Sequence, residues 1–424
     1  MLRTRTLTPL VLMLFASAPA LATDGYFSHG YGVKSQGIGG VGIALPLDGL
    51  AAATNPAGTA FLQDRFDLGI NYFVPKRNAE ITGNGVGANG SYDGDGNPSS
   101  LIPEIGYINN INQSITAGVA VYGNGGMNTQ YSPNPFASFG STGAAGINLA
   151  QLFVTPSVAY KWNENNAVGL AVNYAYQQFS AQGLGAFAQT GGAPNQASAT
   201  PSNVTDNGTD TSTGWGARLG WTGKVTPDLT LGATWASKIN ASKFNQYSGL
   251  FVNGGSFDIP ENYGLGLSFK VAPTWTVAAD ISRILYSGVS AVANPLANLT
   301  SQGQLLGSAN GAGFGWRDIT VSKIGVSYDY APDVTLRAGY NHSDQPIPND
   351  QTFFNILAPA TVQDHLTLGG TWQATSGNEL SVSYSHGFKQ TVSGSNSIPA
   401  SYGGGNANIS LEEEILSVAY GWKL

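Results

Sequence analysis

The residues of this 424-residue chain that could do chemistry are mostly single charges placed among apolar neighbours. Arg218, Lys323 and Arg337 each lie in a stretch that alternates apolar and polar residues, and each is on the polar side of that alternation. A cation in this position can bind a carboxylate through charge-assisted hydrogen bonds. Arg218 is the best single candidate, because Gly216 and Gly220 leave room beside it. Charges of both signs on this side can also pair with one another, which is the structural alternative.

The patterns typical of catalysis and metal binding are weaker. His342 and Asp344 flank a serine, but neighbours on a strand end point in different directions, and a catalytic triad is defined by its geometry. Asp93, Asp95 and Asn97 alternate with glycines like half of a calcium loop, but the glutamate that would complete such a loop is missing. The chain has no cysteine, which excludes thiolate metal sites and disulfides. The sequence therefore predicts no enzyme, no metal site and no cofactor.

A two-residue alternation recurs along most of the chain, and it is clearest at the C-terminus. Between Leu416 and Leu424 every second residue is apolar or aromatic, and the residues between them are small or polar. A period of two gives a strand one apolar face. Fourteen strands are predicted on this basis: 66–77, 102–109, 114–122, 152–161, 167–179, 213–224, 229–239, 257–270, 275–285, 318–330, 334–342, 364–374, 379–389 and 410–424. Most have the length that a tilted strand needs to cross a bilayer.

The connections between these strands fall into two sizes. Turns of a few residues follow the even-numbered strands, whereas long loops rich in Gly, Asn and Ser follow the odd-numbered ones, at 78–101, 123–151, 180–212, 240–256, 286–317, 343–363 and 390–409. A soluble β-sandwich has no reason for this asymmetry. In bacterial outer-membrane barrels the short turns are periplasmic and the long loops extracellular. The sequence therefore predicts an all-β fold, a transmembrane antiparallel β-barrel of about 14 strands with both termini periplasmic.

The composition agrees with a protein that lies in lipid. Only 10% of the residues are charged, whereas soluble domains have about 25%. The chain is also rich in Gly, Tyr and Phe, with 57, 19 and 18 residues respectively. Its formal charge of -7 argues against a nucleic-acid partner.

The N-terminus divides into two further regions. Residues 1–22 have the pattern of a secretory signal peptide, with Arg3 and Arg5 before a short apolar core and small residues at 20–22. Residues 23–62 do not alternate and are rich in Gly and Ala, and their apolar content favours a compact plug in the barrel lumen over a disordered tail. The predicted organisation is a signal peptide at 1–22, an N-terminal hatch or plug at 23–62 and a transmembrane barrel at 63–424.

Three stretches together resemble one known family. They are 25–32 followed by 53–57, then 257–264, and then 330–340 followed by Pro346, Pro348 and 364–365. In their order and spacing the chain resembles the FadL/OmpP1/TodX family of outer-membrane transporters for hydrophobic compounds. One departure is the last residue, Leu424, where such barrels usually end in Phe.

The resemblance implies a fourteen-stranded barrel with an N-terminal hatch, in which Asn55, Pro56 and Ala57 form the hatch motif. It also implies an inward kink of the third strand that opens the barrel wall sideways into the membrane. The expected partners are a hydrophobic small molecule and outer-membrane lipid, and the expected state is a monomer in a Gram-negative outer membrane. Asn55, Pro56 and Ala57 are expected to turn the plug and not to contact the ligand.

The resemblance leaves the substrate open. Passive uptake of long-chain fatty acids is the leading reading, because lumen cations could meet a carboxylate. Uptake of aromatic hydrocarbons such as toluene is the alternative, and a structural barrel or adhesin is the alternative of another class. Phe136, Phe139 and Phe187 in the long loops are candidates for capturing the substrate. They could equally pack the loops against each other.

Overall fold

One antiparallel sheet closes on itself in the computed structural model, which describes residues 24–190, 196–374 and 377–424. The predicted signal peptide therefore lies outside the described residues. The strands are β1 (Arg65–Thr82), β2 (Gly90–Asp93), β3 (Ser100–Asn110), β4 (Ile115–Tyr131), β5 (Ala145–Asn163), β6 (Asn166–Gln182), β7 (Asp210–Lys224), β8 (Leu229–Ala236), β9 (Asn262–Ala272), β10 (Trp275–Ile284), β11 (Ile319–Ala331), β12 (Val334–Ser343), β13 (Asp364–Gln373), β14 (Glu379–Val392) and β15 (Asn406–Lys423). β1 pairs with both β3 and β15, so fourteen of these strands form a closed ring, and the short β2 pairs only with the end of β1.

The closed barrel of fourteen antiparallel strands confirms the predicted fold. Its outer face is apolar, as the alternation predicts. On β1 the side chains of Leu68, Ile70 and Tyr72 are exposed, whereas those of Asp67 and Asn71, on the alternate positions, are buried in the lumen. Closure leaves no unpaired sheet edge, which is the condition for strands in a hydrocarbon layer.

Three predicted strand boundaries are wrong in an informative way. The predicted loop 123–151 is mostly strand, because β4 continues to Tyr131 and β5 already begins at Ala145. The predicted strand 257–270 begins only at Asn262, because Pro260 has no N–H to donate to a ladder.

The helices are short and lie in the N-terminal segment and the long loops. They are α1 (Val33–Gln36), α2 (Ala51–Thr54), α3 (Val252–Gly255), α4 (Ser290–Ala293), α5 (Ala297–Thr300) and α6 (Thr352–Asn355). Seven 3₁₀ turns accompany them among the described residues, at Pro56–Phe61, Ala137–Phe139, Gly185–Phe187, Pro201–Asn203, Asn245–Tyr247, Tyr286–Gly288 and Ala400–Tyr402. Within the described ranges, no helix is long and apolar enough to cross a membrane.

Residues 24–62, called the N-terminal segment below, lie inside the barrel and are almost entirely buried. Helix α1 packs against β13 and β14, and the 3₁₀ helix Pro56–Phe61 packs against β5, β6 and β7. Glycines on the lumen wall make these contacts possible. A Cβ atom at Gly339 would lie 2.2 Å from the backbone nitrogen of Gly39, and one at Gly220 would lie 1.9 Å from Oδ1 of Asn55. The segment is therefore seated directly against the wall backbone.

We expect Gly220→Ala to displace the N-terminal segment, because the new methyl group would overlap Asn55. The expected result is faster protease cleavage within residues 24–62 of the purified barrel. Gly370→Ala is the matched control, since its nearest neighbour is a Leu336 methyl group at 3.9 Å. Equal cleavage rates in the two variants would contradict the expected displacement.

Candidate functional site

The N-terminal segment and strands β7 to β11 enclose a polar cavity of about 610 Å³. Arg218 of β7 and Lys323 of β11 both line it, so the structure brings together two of the three predicted cations. Asp24 and Tyr31 line it from the N-terminal segment, and Asp280 lines it from β10. The inward positions follow from the strand period, because each of these wall residues alternates with a lipid-facing one.

Arg218 is the cation of this cavity that lacks an anionic partner. Its Nη1 donates hydrogen bonds to the carbonyl oxygen of Thr54 at 3.1 Å and to Oγ1 of Thr234 at 3.3 Å. Its Nε is buried without a hydrogen-bond partner, and it forms no ion pair with any carboxylate in the described ranges. The room expected beside it is not empty, however. Asn55 of the N-terminal segment fills the space next to Gly220.

The other two predicted cations have different surroundings. Lys323 Nζ donates to the carbonyl oxygen of His29 at 2.6 Å and lies 3.7 Å from Oδ2 of Asp24, so it is bonded to the N-terminal segment. Arg337 does not line the cavity. Its Nη1 donates to Oγ1 of Thr371 at 2.7 Å on the neighbouring strand.

The predicted hatch motif makes contacts within the protein. The Nδ2 of Asn55 donates to the carbonyl oxygens of Ile43 at 2.7 Å and Trp221 at 3.0 Å, and its Oδ1 accepts from the backbone N–H of Ala57 at 3.1 Å. Asn55 thereby caps the 3₁₀ helix that begins at Pro56. These bonds connect a turn of the N-terminal segment to β7.

A second cavity, of about 470 Å³, lies among the long loops and is apolar throughout. Its lining residues are Ile147, Phe179, Leu184, Phe187, Leu250, Phe251, Ala291, Leu306, Ala312, Gly313, Phe314, Phe354 and Leu357. Of the three predicted capture residues, only Phe187 lines it. Phe136 and Phe139 instead pack against the ring of Phe353, at centroid distances of 5.6 and 5.8 Å. Those two phenylalanines therefore pack the loops against each other, which was the alternative to substrate capture.

The barrel wall is interrupted between β3 and β4. Their pairing ends at Ile105 and Val121, although β3 continues alongside β1 to Ser100. Beyond this point β4 bonds to the N-terminal segment instead, where the backbone N–H of Gly126 donates to the carbonyl oxygen of Tyr26 at 2.9 Å. Residues 124–127 are buried consecutively, so the alternation of exposed and buried residues is lost. The second half of β4 therefore turns away from β3 toward the N-terminal segment, next to Gly123, Gly125 and Gly126, and the two wall strands are unpaired there.

Sequence reasoning missed a buried histidine pair. The rings of His29 and His365 stack at 5.5 Å, and both side chains are fully buried. Burial, followed by the nearby Lys323 ammonium, lowers the pKa of His29 from 6.5 to about 3. His29 lies in one of the stretches that carry the family resemblance, but nothing local in the sequence indicates its partner 336 residues later.

A closed barrel with an apolar outer face, a segment inside the lumen and an interrupted β3–β4 pairing is the architecture of an outer-membrane channel. The family model "Outer membrane protein transport protein (OMPP1/FadL/TodX)" matches residues 19–421. The chain belongs to this family, whose members are transport channels of the outer membrane for hydrophobic compounds and not enzymes.

Individual relatives carry different substrate names. A long-chain fatty acid transport protein of Escherichia coli is 24% identical over 428 residues, which cover 88% of this chain and 90% of the relative. The crystal structure of the Pseudomonas putida toluene transporter TodX gives a TM-score of 0.69 at 20% identity, covering 95% of this chain and 100% of TodX. A Pseudomonas aeruginosa FadL homologue gives 0.70 at 17% identity, covering 94% and 99%. These structural likenesses establish the shared fold.

We expect acidification to loosen the N-terminal segment through His29. The seated segment keeps His29 neutral down to about pH 3, whereas a released segment binds a proton near pH 6.5. The seated state therefore loses stability as the pH falls from 6.5, by up to about tenfold in the equilibrium per pH unit.

The measurement is protease cleavage within residues 24–62 between pH 7 and pH 4.5, in the wild type and in His29→Gln. His365 and Lys323, which contact His29, are present in both proteins, so the difference between the two pH profiles reports on His29. Parallel profiles would show that His29 has no such role.

Proposed function

We propose that this channel takes up long-chain fatty acids passively, with the carboxylate bound by Arg218. The route has three stages: capture in the apolar loop cavity, transfer to the polar cavity beside the N-terminal segment, and lateral release through the gap between β3 and β4. The N-terminal segment acts as the plug that separates the lumen from the periplasm.

The guanidinium of Arg218, which has no carboxylate partner among the described residues, is the observation that carries this proposal. A buried cation without an anion is costly, so a protein that keeps one gains when a ligand supplies the negative charge. Lys323 lies on the same cavity but already bonds to the N-terminal segment. A fatty-acid carboxylate that accepts from Arg218 Nε would supply the missing partner.

The loop cavity supports the capture stage. Its lining contains no charged side chain, so an alkyl chain can enter without displacing strongly bound water. The unpaired stretch between β3 and β4 supports the release stage. A hydrophobic molecule that leaves sideways enters lipid directly and avoids the aqueous periplasm.

Aromatic hydrocarbons are the second candidate, favoured by the loop cavity itself. Phe179, Phe187 and Phe251 contribute ring faces and edges to its wall, and such a surface binds a single aromatic ring well. A hydrocarbon would make no use of Arg218. The third reading, a structural barrel or adhesin, predicts no binding of either compound.

We expect Arg218→Gln to weaken the binding of labelled oleate to the purified barrel by about tenfold or more, because a charge-assisted hydrogen bond is lost. Gln was chosen because it can still donate to the Thr54 carbonyl. Arg283→Gln is the control, since that guanidinium bonds Thr320 on the neighbouring strand and lies outside the polar cavity.

Toluene is tested as a competitor in the same experiment. If toluene displaces oleate and Arg218→Gln has no effect, the result would favour aromatic hydrocarbons as the substrate. If neither compound binds, the result would favour the third alternative, a structural barrel or adhesin.

A further inference from the structure

A third cavity, of about 330 Å³, lies between β1, β15 and the second half of β4. Its wall is mainly apolar, with Phe73 and Pro75 of β1, Met127 of β4 and Leu411 of β15. Residues 358–360, in the loop before β13, also line the cavity. The cavity is separate from both cavities of the proposed route, since it shares no lining residue with either.

Glu413 is the unusual residue of this cavity. Its side chain is fully buried, and its Oε1 has no hydrogen-bond partner. Its Oε2 lies 3.4 Å from Nε2 of His365, which is its only ion-pair contact within the described residues. An apolar cavity thus contains one carboxyl oxygen with its hydrogen-bonding capacity unused. Such atoms are rare in buried protein and call for an explanation.

The strand register accounts for the position of this oxygen. Glu413 lies opposite Pro75 on β1 and opposite Gly387 on β14, and neither residue has a side chain that could donate to it. A Cβ atom at Gly387 would lie 2.9 Å from Nε2 of His365, so the glycine leaves the space that His365 occupies beside Glu413. His365 lies beside one carboxyl oxygen of Glu413, and the other carboxyl oxygen has no hydrogen-bond partner.

Arg77 also lines the cavity, but both of its terminal guanidinium nitrogens donate elsewhere. Its guanidinium donates to the carbonyl oxygens of Asn128 at 2.5 Å and Asn97 at 2.8 Å, and it forms its ion pair with Asp95 at 3.3 Å. It connects β1 to the inward half of β4 and to the loop after β2. Glu413 Oε1 is therefore an acceptor of the cavity that has no hydrogen-bond partner.

The chemistry of a buried carboxyl group selects the ligand. A hydroxyl group can donate to a carboxylate or accept from a carboxylic acid, so it matches Glu413 in either protonation state. A ligand carboxylate matches only the protonated state, and a pure hydrocarbon leaves the oxygen unpaired. We infer that this cavity is a second binding site that prefers small hydrophobic molecules with a hydroxyl group, such as phenols, with Glu413 as the specificity-determining residue.

The location of the cavity fits a step late in transport. Met127 and Asn128 belong to the part of β4 that has separated from β3, so the cavity lies beside the place where these two wall strands are unpaired. The inference that a phenol passes this site during uptake rests on the proposed function. The inference that a phenol binds at this site does not depend on the proposed function.

The test compares 4-methylphenol with toluene, which differ by a single hydroxyl group, in binding to the purified mature barrel by equilibrium dialysis. The wild type is expected to bind 4-methylphenol about tenfold more tightly than toluene, as one hydrogen bond to a buried carboxyl group implies. Glu413→Leu is expected to abolish this preference while toluene still binds. Glu413→Gln, which can still donate and accept, is expected to retain most of it.

Glu414→Gln is the matched control, because the next residue of β15 points to the outer face and bonds Tyr384 and His386 there. A preference that survives in Glu413→Leu, or equal affinities in the wild type, would overturn the inference. A loss of toluene binding in Glu413→Leu, with the preference also lost in Glu413→Gln, would assign Glu413 a structural role only.

Oleate binding and its dependence on Arg218, measured on the same preparations, report on the proposed function separately. The preference for 4-methylphenol can therefore be confirmed even if the fatty-acid proposal fails. The fatty-acid proposal can likewise be confirmed even if the preference for 4-methylphenol is absent.

Discussion

Every backbone hydrogen bond that faces lipid must be made within the protein, and the closure of β1 on β15 is what satisfies this condition. Eighteen residues of β1 pair in register with β15, which joins the two ends of the barrel and removes both sheet edges. The lumen exists because of this closure, and so do the inward positions on which all the polar chemistry lies. The place where β4 separates from β3 is instructive. There β4 bonds to the N-terminal segment, so the loss of β3–β4 pairing and the seating of the segment occur at the same place.

The buried charges of the lumen follow a common rule. Wall carboxylates accept hydrogen bonds from backbone N–H groups of the N-terminal segment. Asp280 accepts from Gly42 and Ile43 at 2.8 and 3.0 Å, and Glu104 accepts from Val33 at 3.0 Å. These contacts give a segment with little regular structure a defined position, since they satisfy donors that no helix or sheet uses. Arg218 and Glu413 each have a buried polar atom without a protein partner beside a cavity, as Asp24 and Asp280 do at the polar cavity.

Glycine contributes to this arrangement as much as charge does. At Gly220 and Gly339 the backbone of the N-terminal segment lies where a side chain would otherwise be. A barrel wall of larger residues could be equally apolar outside and equally well hydrogen-bonded, but it could not seat this segment. The high glycine content therefore reflects the close packing of the segment against the wall, as well as the long loops.

The sequence by itself determined the barrel, because period-two alternation and turn composition are local properties. It determined the fourteen strands, the lipid-facing residues such as Leu68 and Ile70, and the inward side for Arg218 and Lys323.

The tertiary structure decided what those inward residues contact. Arg218 contacts Thr54 across 164 residues, Asn55 fills the room predicted beside Gly220, and Phe136 and Phe139 turn out to be packed against Phe353. The pairing of Glu413 with His365 also had no local signal, and Gly123, Gly125 and Gly126 permit the bend of β4 without fixing its direction. Strand parity says on which side of the wall a side chain lies, but its partners depend on the strand register and on where the N-terminal segment is seated. Both are set by contacts between residues far apart in the chain.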